Sequence, residues 1–226
     1  MSVIAFIPAR EGSKSIPLKN IKIFCGKPLI YWNLAALQES DIDEIIVATD
    51  SDKIKTTVNS FNLSKVTIYN RSKENAQDTS STESVMLEYI DSNNLDGEDT
   101  FILVQATSPF TQSTHFNEGL GLFKNHDSVL SCCLSKRFSW KNGEALDYDI
   151  YNRPRRQDIS PKDYIYDENG SVYIFSIEIF KKEYNRLGGK IGYFLFSEDY
   201  GRQIDTPLDF NILESISKHL EKDKNE

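Results

Sequence analysis

Short apolar runs alternate with helical segments from the first residues of this chain, and that alternation restricts its fold more than any other feature. "VIAFIPA", "DEIIVATD", "KVTIYNR", "DTFILVQA" and "SVLSCCL" read as strands. Between them, "PLIYWNLAALQES", "SDKIKTTVNSF", "STESVMLEYIDSN" and "STHFNEGLGLFKN" read as helices. Strands that are apolar on both faces need cover on both, so the pattern predicts an α/β fold with a largely parallel, doubly wound sheet flanked by helices. Ligands of such a fold bind beyond the carboxyl ends of the strands.

A length of 226 residues suits one domain, so residues 1–226 are read as a single unit. From about Phe138 to Arg186 the rhythm breaks. "NRPRRQDISPKDYIYDENGSVYIFSIEIFKKEY" is dense in charge and aromatic rings, with Pro154 and Pro161 punctuating it. Residues 138–186 are therefore expected to form an inserted dimerisation arm, a hairpin-like extension plus a short helix that contacts a second subunit. "KIGYFLF" then reads as a strand, "EDYGRQIDTPLDF" as a turn and "LDFNILESISKHLEKDKNE" as a closing helix.

The net charge of −8 argues against binding to nucleic acid or an anionic membrane as a whole, leaving anion binding to local cationic pockets. "FIPAREGSKSIPLKN", directly after the first strand, is such a pocket, because Arg10, Lys14 and Lys19 surround a turn of small residues. Backbone N–H groups and three cations at this spacing suit a triphosphate. By charge alone the loop also fits a solvated basic turn. Neither GxxxxGK[ST] nor GxGxxG occurs, so the loop is not of the Walker or dinucleotide type. No run of about 18 apolar residues exists and "MSVIAFIPAR" has no basic leader or cleavage site, which leads to an expected cytoplasmic location. Cys25, Cys132 and Cys133 lack metal-ligand spacing, and His115, His126 and His219 lack neighbouring ligands, so neither group reads as catalytic.

Seven segments, "IPAREGSKSIPLKN", "VATDSDKI", "RSKENAQDTSSTES", "VQATSPF", "RPRRQD", "YDENGSVYIF" and "GGKIGYF", resemble in order and spacing the acylneuraminate cytidylyltransferases, or CMP-sialic acid synthetases, of the animal type. The resemblance implies a Rossmann-like domain, a homodimer formed through the arm, and magnesium-dependent transfer of CMP from CTP to a nine-carbon 2-keto sugar acid. Arg10 and Lys19 match the positions implied to hold the β- and γ-phosphates, and Asn20 the asparagine that orients the nucleotide. Arg71, Ser80 and Thr82 match positions implied to bind the cytidine moiety. Read without the resemblance, Ser80 and Thr82 are caps for a helix beginning near Glu83. Gln105 matches a sugar-contacting glutamine, and its place at a strand end agrees. Asn169, Ser171 and Tyr173 match the acyl-sugar segment. Arg155 and Arg156 match an arginine pair implied to reach a substrate carboxylate or phosphate across the dimer, a task suited to a bidentate guanidinium.

Two departures stand out. The family commonly carries "DID" before its last helix, whereas "RQIDTPLD" has Gln203 at the first aspartate and keeps Asp205. Asp205 is then the implied magnesium ligand, and Asp209 is either a substitute ligand or a helix cap. Where some bacterial relatives have arginine beside "NG", this chain has Asp167 and Glu168, as the animal-type pattern tolerates. The implied chemistry is in-line attack of the anomeric hydroxyl on the α-phosphorus of CTP, with Arg10, Lys14, Lys19 and Arg156 managing charge and no histidine base required. The same reaction on legionaminate, pseudaminate or 3-deoxy-octulosonate, and a catalytically silent nucleotide-sugar-binding homologue, remain as alternatives.

Overall fold

In β1 (Val3–Pro8) the side chains of Ile4, Ala5, Phe6 and Ile7 are all buried. Successive side chains of a strand point to opposite faces, so this one must be covered on both sides. The structure, a computed structural model, describes residues 2–223 apart from 14, 78, 96, 98 and 136, with side chains as far as Lys218. Six further strands join β1 in one sheet: β2 (Glu44–Thr49), β3 (Val66–Asn70), β4 (Thr100–Val104), β5 (Ser128–Leu134), β6 (Tyr166–Ser176) and β7 (Ile191–Phe196).

The order across the sheet is β7-β5-β6-β4-β1-β2-β3. All pairings are parallel except those of β6, which runs antiparallel to both β4 and β5. Helices α1 (Leu29–Gln38), α2 (Asp52–Asn59), α3 (Thr82–Ser92), α4 (Ser113–Phe123), α5 (Ile177–Glu183) and α6 (Pro207–Asp223) complete the chain. On one face Ile4 and Phe6 pack with Val85, Met86 and Ile90 of α3 and with Phe180 of α5. On the other, Ala5 and Ile7 pack with Leu34 of α1, Ile54 of α2 and Phe116 of α4. Each such fully buried Ile, Leu or Phe contributes about 1.5–3 kcal/mol. Helix α6 closes a third cluster, with Phe210 and Leu213 against Phe24 and Leu29.

The doubly wound, largely parallel sheet expected from the alternation is therefore present. The arm is corrected at its C-terminal side. Residues 166–176 are not part of an excursion, because β6 lies inside the sheet with Val172, Ile174 and Phe175 fully buried, and α5 packs on the core. An antiparallel neighbour needs no helical crossover, so β5 and β6 form a long hairpin and the intervening residues project from its tip. That projection carries a small ribbon, Trp140–Lys141 against Glu144–Ala145. Asn142 and Gly143 turn it with φ of 53° and 87°, as a tight hairpin turn requires. Phe138 and Tyr148 meet at 4.6 Å, with the Arg153 guanidinium 4.7 Å from the Phe138 ring.

Strand β1 places Ala5 opposite Ile45 of β2 and Ile102 of β4. The chain order runs outward in both directions from this strand, so the crevice at its carboxyl end, between the segments after β1 and β4, is the switch point of the sheet.

Candidate active site at the switch point

The loop leaving β1 is built to hold its polar groups in place. Leu18 adopts a left-handed conformation (φ 51°) and Lys19–Ile21 form a single 3-10 turn. Asn20 is buried and its Nδ2 donates to the Arg10 carbonyl at 3.2 Å, which fixes the backbone that carries Arg10. Lys19 Nζ donates to the Ile204 carbonyl at 2.9 Å and lies 3.4 Å from Asp205 Oδ1. The Ile204 N–H in turn donates to the Thr107 carbonyl at 2.9 Å, docking the 203–205 segment on the turn after β4. Folding thus brings the loop lysine and the expected metal aspartate together. Lys14 lies outside the described residues. Glu11 accepts from Ser51 Oγ at 2.8 Å and from Lys53 Nζ at 3.1 Å. Those two bonds hold its carboxyl below the usual range and tie the loop to the start of α2.

A cavity of about 220 Å³ opens at the switch point, with Arg10, Arg71, Ser80, Thr82 and Gln105 in its wall beside Pro8 and Val85. Five residues singled out from the sequence therefore converge here. Burial pushes the Arg71 pKa down; Arg10 pushes it the same way, while Asp50 and Glu88 oppose them. Two guanidinium groups that repel each other across a cavity favour an anionic or acceptor-rich occupant. The Arg71 Nε is buried and without a partner among the described residues. Ser81 caps α3, accepting from the Ser84 N–H at 3.0 Å, so the reading of Ser80 and Thr82 as caps is corrected. Ser80 Oγ donates to the Glu74 carbonyl at 2.8 Å and Thr82 begins the helix.

Asn169 and Ser171 brace this wall from β6. Asn169 Oδ1 accepts from Ser131 Oγ at 2.6 Å and from the Ser171 N–H at 3.0 Å, and the Ser171 carbonyl accepts from the Gln105 N–H at 3.1 Å. Gly170, at φ 71°, lets Gln203 approach; a Cβ there would lie 2.7 Å from Gln203 Nε2. Gln203 donates to the Asn169 carbonyl, a bond that an ionised aspartate could not make, which accounts for glutamine at this position. Tyr173 is 5% exposed and packs in the core beneath α3. Its hydroxyl donates to Glu168 and the Arg186 guanidinium lies 4.9 Å from its ring, so within one chain it supports the site from beneath. Burial, and then the Glu168 bond, raise its pKa.

Arg155 and Arg156 stay on the excursion. Arg155 Nε donates to Asp158 at 2.6 Å, and Arg156 lines a separate cavity of about 930 Å³. Asp209 is committed to α6: its Oδ2 accepts from the Thr206 N–H at 2.7 Å and from the Asp205 N–H at 3.0 Å, while its own N–H donates to Thr206 Oγ1 at 3.3 Å. That reciprocal pair is a capping box with Thr206 as the cap, whereas the exposed Asp205 carboxylate lies beside Lys19. Among the described residues no three His, Cys, Asp or Glu side chains form a metal cage. A single carboxylate beside a phosphate-type loop fits magnesium, which keeps several waters and takes its other oxygens from phosphates. His115 is structural, stacked on Phe196 at 4.1 Å with Nδ1 accepting from the Gln112 N–H.

Sequence reasoning missed Asn75 and Glu88, which fix the loop behind Arg71. A lone glutamate on a helix reads as solvated, so no signal in the sequence marked it.

A cytidylyltransferase family model matches residues 4–218. The chain is 34% identical to N-acylneuraminate cytidylyltransferase B of Danio rerio over 93% of its own length and 50% of the relative's, so it spans about half of that protein. It is 31% identical to CMP-N,N'-diacetyllegionaminic acid synthase of Legionella pneumophila, with 96% of each chain covered. The solved structure of a CMP:2-keto-3-deoxy-manno-octonic acid synthetase complexed with CTP superposes with a TM-score of 0.73 at 17% identity, covering 97% of this chain and 99% of that one, a likeness of fold.

Proposed function

The chain belongs to the cytidylyltransferase family, and from that premise we propose that it transfers CMP from CTP to the anomeric hydroxyl of an N-acylneuraminate-type keto sugar acid, releasing pyrophosphate. The observation that carries this reading is the convergence of Arg10, Arg71, Ser80, Thr82 and Gln105 on one cavity at the switch point, with Lys19 and Asp205 on the same loop assembly. Arg10, Lys14 and Lys19 neutralise the phosphates and the charge that grows on the leaving pyrophosphate. Arg71, Ser80 and Thr82 receive the cytidine moiety. Gln105, braced by the Ser171 carbonyl, presents an amide that can donate to and accept from sugar hydroxyls. Asp205 would hold magnesium, which would supply positive charge against the phosphates.

We further infer a homodimer built on the projecting 138–165 segment, in which Arg155 and Arg156 serve the partner's substrate carboxylate or phosphate and the Asn169 end of the 169–173 segment borders the acyl pocket, with Tyr173 packed behind it. Trp140, Leu146, Ile150 and Tyr151 are exposed on that segment, which supports its role as an interface. No helix among the described residues is long and apolar enough to cross a membrane; the proposed location is the cytoplasm. A second reading, a legionaminate-type acceptor, is favoured by the end-to-end match to the legionaminic acid synthase.

Pyrophosphate release with CTP and magnesium across a panel of neuraminate, legionaminate, pseudaminate and 3-deoxy-octulosonate tests the proposal. The highest kcat/KM is expected for a nine-carbon acid. Release with none of them overturns catalysis in favour of a silent binding protein, and preference for the eight-carbon acid overturns the substrate class.

A further inference from the structure

The carboxylate of Glu88, in the middle of α3, gathers four donors from the strand and loop that precede the helix. Its Oε1 accepts from the Tyr69 hydroxyl at 2.8 Å and from the Ser72 N–H at 3.0 Å, and its Oε2 accepts from Ser72 Oγ and Asn75 Nδ2. The loop turns here because Asn75 N–H donates to Ser72 Oγ at 3.2 Å and Asn75 Nδ2 also reaches the Ser84 carbonyl at 3.3 Å. The Asn75 carbonyl then accepts from the Arg71 guanidinium, whose Nε has no partner among the described residues. A guanidinium is steered by whatever acceptors hold its fork. The backbone acceptor for Arg71 therefore belongs to a turn that Glu88 clamps.

We propose that Glu88 is a positioning residue for nucleotide capture, acting through the Ser72–Asn75 turn to aim Arg71 into the switch-point cavity. The proposal rests on the cytidylyl-transfer reading of that cavity and extends it to a residue outside its wall. A carboxylate suits the task because it accepts from all four donors and offers none of its own. Glu88→Gln keeps the shape and replaces one oxygen by an NH2 that faces donors, so the turn must shift and Arg71 with it.

The test is calorimetric titration of CTP without sugar acid, followed by steady-state kinetics in both substrates. Glu88→Gln is expected to raise the CTP dissociation constant and the KM for CTP about tenfold. The KM for the sugar acid and kcat at saturating CTP should stay within about twofold, a split that general loss of structure would not give. Asn75→Ala, which removes the amide that ties the turn to Glu88 and leaves the carboxylate in place, should reproduce the effect. The double variant Glu88→Gln/Arg71→Met should bind CTP no more weakly than Arg71→Met alone. Unchanged CTP affinity in folded Glu88→Gln, equal losses in both substrates, or a loss that adds to that of Arg71→Met overturns the proposal. If Glu88→Gln does not fold, Asn75→Ala decides by the same criteria. Failure of the unmodified chain to bind CTP overturns the functional reading together with this one, whereas normal CTP binding unaffected by these variants overturns this one alone.

Discussion

At the residue scale, the two aspartates near the end of the chain have separate tasks because one is spent on backbone donors and the other is not. Asp209 accepts the Asp205 and Thr206 N–H groups, whereas Asp205 faces solvent beside Lys19. Asp205→Asn should therefore raise the magnesium concentration for half-maximal rate about tenfold and lower kcat at fixed magnesium, while the melting temperature holds. Asp209→Asn should keep most of the activity and lose about 0.3–1 kcal/mol of stability, the worth of an anion at a helix N-terminus. The opposite outcome in pyrophosphate-release assays reassigns the metal ligand to Asp209. Under the proposed function Arg10→Ala should lower kcat/KM for CTP about 100-fold, since the guanidinium would meet phosphate charge both before and during transfer. Unaltered kinetics would remove the loop from the triphosphate site.

At the element scale, β6 and the start of α6 decide whether those residues meet. The bulge between Glu168 and Tyr173 frees the Asn169 carbonyl for Gln203, and Gly170 provides both the positive φ and the room. Gly170→Ala should cost about 1–3 kcal/mol, read as a melting point lower by roughly 2–12 °C, because the side chain is strained at that φ and collides with Gln203. A neutral result would show that the bulge relaxes freely. The α6 cap brings a pH dependence whose sign is fixed by Asp209. Desolvation raises its pKa, but the hydrogen bonds from Thr206 and the Asp205 N–H outweigh that and leave it below the usual aspartate value. A depressed carboxyl contributes fully above its unfolded pKa of about 3.9 and loses that contribution as pH falls through the depressed value. Melting curves of the unmodified chain should show this extra acid loss, and those of Asp209→Asn should lack it.

At the scale of the whole molecule, the projecting 138–165 segment has rings and arginines but little core of its own, so a second subunit is expected to cover it. Sedimentation should give a dimer, and mixing the impaired Arg10→Ala with an impaired Arg156→Ala should raise activity well above that of either alone, since one site of the hybrid is then intact. A fully active monomer, or no rescue, would remove Arg156 from the partner's site. Much of this arrangement was legible beforehand. Apolar runs such as those of β1 and β4 can be satisfied only with cover on both faces, and the loop after β1 carries its cations within one short stretch, so the sheet and the end of it that holds the candidate site follow from local pattern. The reversal of β6 was not legible, because "YDENGSVYIF" is polar at one end and aromatic at the other, and only its partners on either side reveal a central strand. Nor was the choice among acceptors of equal chemistry at α3, where Ser81 rather than Ser80 or Thr82 is the cap, whereas the cap role of Asp209 at α6 was readable from its place just before "FNILESI". The sequence by itself determined the periodicities and the set of charges. The tertiary structure decided which of those charges are neighbours, because Lys19 and Asp205, which pair, and Arg10 and Arg71, which face one cavity, lie far apart along the chain and are brought near only when the sheet is packed.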